Sequence, residues 1–371
     1  MNVAQVIDHL REDSSFCAHL TAWRSFPAQP GRYAPFPDAV NPELVEGLRK
    51  RGISRLYTHQ YEAFAALEQG KNVCVVTPTA SGKTLCYNLP VLNELMKDPN
   101  SRALYLFPTK ALSQDQVSEL TETIETLEVK IGAYTFDGDT PTSARTAVRN
   151  AGHIVVTNPD MLHAGILPHH TIWIRLFENL KFVVIDEIHH YRGVFGSHLA
   201  NLIRRLRRIC AFYGANPRFI CCSATIANPA ELAEKLIEAP VTLVDNNGAP
   251  SGEKHFLFYN PPVVNRELGI RASSVKQAGH LAASLLFREI QSIVFARSRL
   301  RVEILTTYLK EAVARRGGDT GKVRGYRGGY LPTERREIER GLRNGEVMAV
   351  VSTNALELGI DIGGLDAAVV A

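Results

Sequence analysis

The sequence predicts an α/β protein made of two parallel-sheet units. Short runs rich in Val and Ile alternate with amphipathic stretches long enough for helices, and a turn-rich break near residue 250 divides the series. Runs that are apolar throughout are typical of strands buried on both faces of a parallel sheet. A chain of 371 residues is also long enough for two domains.

Composition and cysteine usage narrow the class of protein. The chain is 45% hydrophobic and 22% charged, as globular proteins are, and its six cysteines include no C-x-x-C pair. This pattern favours reduced thiols, and hence a reducing, cytoplasmic location. The N-terminus lacks a basic segment followed by an apolar one, and no run approaches the roughly 18 apolar residues of a membrane span. We therefore expect no membrane partner.

The domain boundaries are predicted from turn and cap signals. Residues 1–50 resemble an extension with a Pro-rich patch, "FPAQPGRYAPFP", followed by a helix that Asn41 can cap, Pro42 can begin and Gly52 can end. We expect a first domain over 51–245, a linker over 246–254 within "DNNGAPSGEK", and a second domain over 255–371.

The strands predicted in each unit are short apolar runs. In the first unit they are "NVCVV" (72–76), "RALYLF" (102–107), "HIVVT" (153–157), "KFVVID" (181–186) and "RFICCSA" (218–224). In the second they are "HFLFY" (255–259), "QSIVFA" (291–296), "VMAVVST" (347–353) and "LDAAVVA" (365–371).

The stretch "TPTASGKT" (77–84) follows the strand 72–76 and precedes a plausible helix. It matches the second half of a phosphate-binding P-loop, although Thr77 stands where the strict pattern has Gly. Backbone N–H groups around small residues and the helix N-terminus can cradle phosphates. Lys83 would reach the β- and γ-phosphates, and the Thr84 hydroxyl would ligate Mg²⁺. The other ATP-binding candidates of this loop are Thr79, Ala80, Ser81 and Gly82.

The stretch "DEIHH" (186–190) admits two interpretations, a zinc site or the metal-binding end of a nucleotide site. It follows a second buried strand about a hundred residues after Lys83, where P-loop proteins place an Asp that holds Mg²⁺. Zinc needs three or four converging ligands, and the other histidines show no H-E-x-x-H spacing. We therefore expect Asp186 to hold Mg²⁺ and Glu187 to act as the general base.

Positive charge concentrates late in the chain. Residues 297–343 contain 13 Lys/Arg against 6 Asp/Glu, a net charge of +7, whereas the whole chain carries only +4. Such an excess suggests a polyanionic partner, and a solvated face is the alternative. The same two alternatives hold for Arg204, Arg205, Arg207 and Arg208, which lie opposite an apolar stripe on a predicted helix.

Several further motifs occur in a fixed order along the chain. They are "LYTHQ" (56–60), "TPTASGKT", "PTKAL" (108–112), "FDGDTP" (136–141), "TNPDML" (157–162), "DEIH" (186–189), "SAT" (223–225), "IVFARSR" (293–299) and "STNALELGIDIGG" (352–364). With these motifs the chain resembles a superfamily 2 DExH-box helicase. "HHYRGVFGSHLANLIRRLRRI" (189–209) and "GYRGGYLPTERREIERGL" (325–342) are most similar to the MrfA/YprA-like branch of DNA helicases, which is related to the Lhr group.

The resemblance implies two RecA-like domains with an ATP cleft between them, and roles for particular residues. Gln60 would recognise adenine, Asp361 would lie near the nucleotide, and the hydroxyls of Ser223 and Thr225 would bond the "DEIH" carboxylates and couple phosphate state to domain movement. The residues expected to contact nucleic acid are Thr109, Lys110, Thr157, Arg297, Arg299 and Thr353. For each hydroxyl, a turn or cap role is the alternative.

The resemblance also implies a function, an ATP-dependent DNA helicase or translocase that moves 3′→5′ on single-stranded or partly duplex DNA and serves repair. The arginine-rich motif that follows "STNALELGIDIGG" in the family has no counterpart before Ala371. We therefore expect an incomplete second sheet and weak hydrolysis. The alternatives are an RNA helicase, or a fragment that binds ATP and nucleic acid with little turnover.

Overall fold

The protein is described by a computed structural model that covers residues 1–127, 129–353, 356 and 364–371. It forms two compact units. The first unit is Ala28–Gly252, and the second unit combines Met1–Pro27 with Glu253–Ala371.

Strands occur in both units. In chain order they are β1 (Leu20–Phe26), β2 (Tyr33–Ala34), β3 (Leu56–Tyr57), β4 (Asn72–Val76), β5 (Arg102–Leu106), β6 (Ala133–Thr135), β7 (Ile154–Thr157), β8 (Leu180–Ile185), β9 (Arg218–Ser223), β10 (Val241–Val244), β11 (Lys254–Tyr259), β12 (Val263–Asn265), β13 (Ile270–Arg271), β14 (Ser292–Phe295), β15 (Val323–Tyr326), β16 (Ala349–Ser352) and β17 (Ala367–Val370).

Helices fill most of the intervals between these strands. They are α1 (Val3–Glu12), α2 (Ser14–Cys17), α3 (Pro42–Lys50), α4 (Thr58–Glu68), α5 (Lys83–Lys97), α6 (Lys110–Thr126), α7 (Thr142–Ala151), α8 (Pro159–Met161), α9 (Ile174–Glu178), α10 (Gly193–Phe212), α11 (Pro229–Ile237), α12 (Ser274–Leu286), α13 (Arg299–Ala314) and α14 (Pro332–Arg343). Among the described residues, no helix is both long and apolar enough to cross a bilayer.

The first unit is built on a seven-stranded parallel sheet with the order β10-β4-β9-β8-β5-β7-β6. Both faces are buried, because Val73 and Val75 of β4 lie in one apolar cluster and Cys74 and Val76 in another. Burial on both faces explains why these strands are apolar throughout. The strands predicted for this unit are confirmed to within one or two residues at each end.

The second unit contains a four-stranded parallel sheet with the order β15-β16-β14-β17. Its core lies between this sheet and helices α12 and α13, where Val294, Leu305 and Val351 are fully buried. With two parallel-sheet α/β units, the predicted RecA-like fold class is confirmed.

The segment "HFLFY" differs from its prediction. It lies in β11, which pairs antiparallel with β1 in a separate two-stranded sheet and does not join the parallel sheet. Its burial alternates along the strand, as expected for a strand covered on one face only. This pairing also brings residues 1–27, which the sequence analysis assigned to an extension, into the second unit.

Three strands of the two parallel sheets were not predicted. β6 and β10 are short and half-exposed at the edges of the first sheet, and β15 contains Arg324 and Gly325, so none is a continuous apolar run. The helix predicted after Asn41 is confirmed as α3. Asn41 accepts a hydrogen bond from the Glu43 N–H, and Gly52 has a φ of +83° just beyond the helix.

Candidate nucleotide-binding site

The loop between β4 and α5 has the backbone of a phosphate cradle. Ala80 and Gly82 have φ values of +60° and +75°, so the chain curls sharply before the helix begins at Lys83. Inside the curl, the Thr77 and Ser81 hydroxyls lie 2.6 Å apart and are buried. Thr79 and Ala80 are exposed at the tip of the loop. The loop is thus fixed from within, and its tip is open to a ligand.

Lys83 joins this loop to the end of a neighbouring strand. Its Nζ donates to the carbonyl oxygens of Thr77 and Ser223, each at 3.1 Å. The contact arises because β4 and β9 are adjacent parallel strands, whose carboxyl ends meet at one edge of the sheet. Both acceptors are neutral, so these bonds orient the ammonium group without neutralising its charge.

Asp186 follows β8, the next strand of the same sheet, and is largely buried. Its Oδ1 accepts from the Glu187 N–H at 2.8 Å, and its Oδ2 accepts from the Tyr87 hydroxyl at 3.3 Å. Burial raises the pKa of Asp186, and the hydrogen bond from Glu187 and the charge of Lys83 oppose that rise. The carboxylate is therefore held at the same sheet edge as Lys83.

Two residues of this site were missed by the sequence analysis, Tyr87 and Gln116. Gln116 Oε1 accepts from the Tyr87 hydroxyl at 2.8 Å and lies 3.4 Å from the Thr84 hydroxyl. Tyr87 is one helical turn beyond Thr84, so helix periodicity could have indicated that both side chains share a face. Gln116 is on α6 and has no such local signal. Together they connect the two predicted metal-binding residues, Thr84 and Asp186.

Glu187 has a left-handed backbone, with φ +52° and ψ +45°. Such a conformation costs a non-glycine residue about 1–3 kcal/mol and occurs preferentially at functional sites. Burial, followed by the negative charge of Asp186, raises the pKa of Glu187 to about 7, although Lys83 opposes the rise. A carboxyl group with a pKa near 7 suits a general base.

His189 links Glu187 to the strand that carries Ser223. Its Nδ1 accepts from the Ala224 N–H at 3.3 Å and lies 3.1 Å from Glu187 Oε2. Burial lowers the pKa of His189 to about 4, so the ring is neutral. Because Nδ1 accepts from the Ala224 N–H, the proton of the neutral ring is on Nε2. The contact with Glu187 is therefore a hydrogen bond only when the carboxyl group is protonated.

Gln60 is buried and its amide is already engaged. Its Nε2 donates to the Gly82 carbonyl at 2.9 Å, and its Oε1 accepts from the Tyr57 N–H at 2.8 Å. A Cβ atom on Gly82 would lie 2.8 Å from Gln60 Nε2, so only glycine allows this approach. In this structure Gln60 fastens the phosphate loop to the start of α4, a role that the sequence analysis did not assign to it.

The predicted coupling residues differ from expectation in their bonds. The Ser223 hydroxyl lies 3.4 Å from His189 Nδ1, and in the described ranges it bonds neither Asp186 nor Glu187. Thr225 is exposed, and no hydrogen bond from it to Asp186 or Glu187 is found in the described part of the chain. The connection between this strand end and the carboxylates runs through the imidazole of His189.

The candidate nucleic-acid residues of the first unit are mostly bonded within the protein. The Thr109 hydroxyl caps α6 by accepting from the Leu112 N–H, and Lys110 donates to Asp139 at 2.8 Å. Thr157 differs most from its prediction. It is 1% exposed, and its hydroxyl donates to the Phe136 carbonyl at 2.6 Å, so it fastens the sheet and does not face solvent.

Three of the four arginines of α10 are also bonded within the protein. Arg204 pairs with Glu238, Arg205 contacts His163 Nδ1 at 2.8 Å, and Arg207 donates to the carbonyls of Ile237 and Glu238. These bonds favour a structural, solvated face over a nucleic-acid track for this helix.

The second unit presents its candidates at the surface. Arg297 and Arg299 are exposed on either side of Ser298, which caps α13. Thr353 is half-buried, and its N–H approaches the Tyr326 carbonyl at 3.4 Å. Asp361 lies outside the described residues. No group of three or more His, Cys, Asp or Glu side chains placed to hold a metal occurs in the described ranges.

Two family models match the chain in the order that its motifs predict. The DEAD/DEAH box helicase family matches residues 57–232, and the helicase conserved C-terminal domain matches residues 281–370. The first match contains Gln60, Lys83, Asp186 and Glu187, and the second contains Arg297 and Arg299.

Curated relatives are similar over nearly the whole chain. One is the uncharacterized ATP-dependent helicase YprA of Bacillus subtilis, 59% identical over 347 residues, which are 94% of this chain and 46% of the relative. Another is the ATP-dependent helicase HRQ1 of Saccharomyces cerevisiae, 37% identical over 98% of this chain and 34% of the relative. The chain thus spans less than half the length of these relatives.

Solved structures of helicases are also similar to this chain over most of its length. The DUF1998 helicase MrfA bound to DNA and AMPPNP superposes with a TM-score of 0.95 at 56% identity, over 100% of this chain and 51% of that one. The Mycobacterium smegmatis helicase Lhr bound to ssDNA and AMP-PNP superposes with a TM-score of 0.70 at 26% identity, over 91% of this chain and 44% of that one.

Proposed function

Because this chain belongs to the superfamily 2 DExH-box helicases, in the branch that includes YprA and MrfA, we propose that it is the motor core of an ATP-dependent DNA helicase or translocase. In this proposal it hydrolyses ATP to move 3′→5′ along single-stranded or partly duplex DNA, and it serves DNA repair in the cytoplasm. The free cysteines support a reducing compartment.

The observation that carries the proposal is the meeting of three loops in the first unit. Lys83 bonds the carbonyl of Ser223, and its positive charge acts on the carboxylates of Asp186 and Glu187. A cationic ammonium, a curled loop at a helix N-terminus and a pair of carboxylates are the groups that bind a nucleoside triphosphate and promote its hydrolysis.

The donor set suits Mg²⁺, which takes oxygen ligands and is usually held by one or two carboxylates together with substrate phosphates. Asp186 and the Thr84 hydroxyl would hold it, and Tyr87 and Gln116 keep those two oxygens in place. When bound, Mg²⁺ neutralises charge on the phosphate oxygens.

The chain's own residues would then perform hydrolysis as follows. The loop over 77–82 and Lys83 orient the phosphates, and Glu187 accepts a proton from the attacking water. When Glu187 gains that proton, it can donate to His189 Nδ1, which also contacts Ser223 and Ala224. Protonation of Glu187 thus changes the hydrogen bonding of His189 at the end of β9.

DNA is favoured over RNA as the partner because MrfA, whose structure superposes at 56% identity, is bound to DNA in that structure. RNA helicases also share the fold, since the DEAD-box helicase Mss116 bound to ssRNA superposes with a TM-score of 0.69, but at only 16% identity. An RNA helicase is therefore the second candidate.

The test is ATP hydrolysis by this chain with and without single-stranded DNA, beside Lys83→Ala. We expect weak hydrolysis that DNA stimulates, and a further loss of about a hundredfold or more in the variant, the usual cost of removing one charge-stabilising group. Unchanged hydrolysis in Lys83→Ala would place the activity elsewhere. Nucleotide binding without turnover would favour the alternative of a nucleotide-dependent nucleic-acid-binding module.

Two further comparisons test the finer parts of the proposal. Stronger competition by RNA than by DNA of the same sequence would make the RNA helicase the better candidate. Displacement from duplexes with a 5′ tail, but not from those with a 3′ tail, would reverse the proposed direction.

A further inference from the structure

The antiparallel ribbon of β1 and β11 has an unusual outer face. The register pairs Ala22 with Phe258, Arg24 with Phe256 and Phe26 with Lys254. Because side chains alternate along a strand, these six lie on one face, which we call the phenylalanine face. Its members are Ala22, Arg24, Phe26, Lys254, Phe256 and Phe258.

The phenylalanine face is open to solvent. Phe26, Phe256 and Phe258 are each more than half exposed, between 53% and 55%. The rings of Phe26 and Phe256 meet edge to face, with centroids 5.5 Å apart. Three neighbouring exposed aromatic rings form an apolar patch of the kind that marks a binding site on soluble proteins.

The opposite face of the ribbon holds it in place. Trp23 donates to His255 Nδ1 at 3.3 Å, and the Tyr259 ring stacks on Phe16 at 5.4 Å. Glu253 approaches His255 Nε2 at 3.3 Å, so this carboxylate is directed to that side. The phenylalanines are therefore presented on a ribbon whose other side is already packed.

The charge of the phenylalanine face selects the kind of partner. Arg24 and Lys254 give it two positive charges, and none of its six residues is acidic. A purely apolar partner would bury these charges without compensation, at considerable cost. A partner that offers both flat apolar rings and negative charges satisfies the whole face, and single-stranded nucleic acid is such a partner.

The spacing of the rings agrees with this partner. Phe256 and Phe258 are two residues apart on one strand, so their Cα atoms are separated by about 6.7 Å. That is about twice the 3.4 Å rise per nucleotide of a stacked strand, which leaves room for a ring between successive bases. Aromatic rings on a β-sheet surface stack bases in this way in single-strand-binding domains.

We propose that the phenylalanine face is a binding site for single-stranded nucleic acid. Bases stack on Phe256 and Phe258, and Arg24 and Lys254 contact the phosphates. The site is separate from Arg297 and Arg299 in sequence and adds sequence-independent affinity to the motor. The inference rests on the proposed function, since it assumes a nucleic-acid substrate.

The test compares the double variant Phe256→Ala/Phe258→Ala with the parent chain. Binding of a fluorescein-labelled oligothymidylate is measured by anisotropy in the presence of AMPPNP. We expect affinity to fall about tenfold or more, as when stacking aromatics are removed elsewhere. Phe212→Ala is the matched control, because Phe212 is 77% exposed but lies in the first unit, and it should bind as the parent does.

A second arm isolates stacking from charge. An abasic sugar–phosphate oligomer of the same length should bind the parent chain much more weakly than oligothymidylate, whereas the double variant should discriminate far less between the two. The variant Phe256→Trp/Phe258→Tyr keeps the rings and should restore affinity. An unchanged unfolding transition of Trp23 fluorescence in a Trp173→Phe background would show that the second unit of the double variant is folded.

Four results would overturn the inference. Equal affinity of the double variant and the parent chain would mean that the rings do not stack bases. The same conclusion would follow if replacing oligothymidylate by the abasic oligomer weakened binding equally in both proteins. A double variant that loses only self-association would identify a protein-docking face instead. If the parent chain itself binds no oligothymidylate, the proposed function fails as well, which distinguishes the two failures.

Discussion

The candidate functional side chains of the two units differ in burial and in hydrogen bonding. In the first unit Lys83, Asp186 and Gln60 are wholly or partly buried and hydrogen-bonded within the protein, so their positions are set before a ligand arrives. In the second unit Arg297 and Arg299 stand exposed at the start of α13. A site for phosphoryl transfer requires fixed groups, whereas a track for a moving polymer requires contacts that form and break readily.

The largest expected effect is on ATP hydrolysis, and it comes from substitution of Glu187 in the buried site of the first unit. Glu187→Gln keeps the shape of the side chain but cannot accept a proton, so hydrolysis should fall by about a hundredfold to ten-thousandfold. Nucleotide binding should be nearly unchanged. Measurement of kcat and of nucleotide affinity separates the two, and equal losses in both would mean that Glu187 acts in binding.

The same residue gives a pH dependence with a definite sign. The pKa of Glu187 is raised to about 7, and the base is active only when deprotonated. In the parent chain kcat/KM for ATP should therefore rise as pH increases through about 7. A profile that is flat between pH 6 and 8 would contradict the assignment of Glu187 as the base.

An intermediate effect is expected from the exposed arginines. The double variant Arg297→Ala/Arg299→Ala should weaken binding of single-stranded DNA and lower the slope of log affinity against log salt by about 1.4, or about 0.7 per phosphate contact. Hydrolysis without DNA should stay as in the parent chain. Arg205→Ala is the matched control, because Arg205 is bonded to His163. An unchanged salt slope would mean that neither arginine contacts the phosphates of the nucleic acid.

The smallest effect is expected for Thr157, where the sequence and the structure disagree. Thr157→Val removes the buried hydrogen bond to Phe136 and should cost about 1 kcal/mol of unfolding free energy. DNA affinity should change less than twofold. Each unit has one tryptophan, so the fluorescence of Trp173 in a Trp23→Phe background reports unfolding of the first unit alone. A large loss of DNA affinity without loss of stability would restore the original prediction.

The sequence was sufficient for the fold class and for residues whose position depends on the parallel sheet. Lys83, Asp186 and Ser223 each follow a buried strand, and adjacent parallel strands bring such residues to one edge. The hydrogen bonds among side chains were not predictable in this way. Whether Ser223 meets a carboxylate or His189 depends on the left-handed turn at Glu187, for which the sequence contains no glycine signal.

Besides the hydrogen bonds among side chains, the motifs could not predict which side chains are exposed. Thr157 belongs to a motif expected along the nucleic acid, yet it ends β7, a strand paired on both sides, and is buried. The role of "HFLFY" was missed for a related reason. Its partner β1 lies more than 220 residues away in the sequence, and periodicity reports only local structure.

The pairing of β1 with β11 also sets an order for biosynthesis. The first unit is inserted between these two strands, so the ribosome completes residues 28–252 before β11 exists. At about 5–20 residues per second, β1 waits roughly 10–50 s for its partner. The second unit can therefore form only after the first has had time to fold. During that interval β1 has no strand partner, and an unpaired strand is a site where nascent chains can associate.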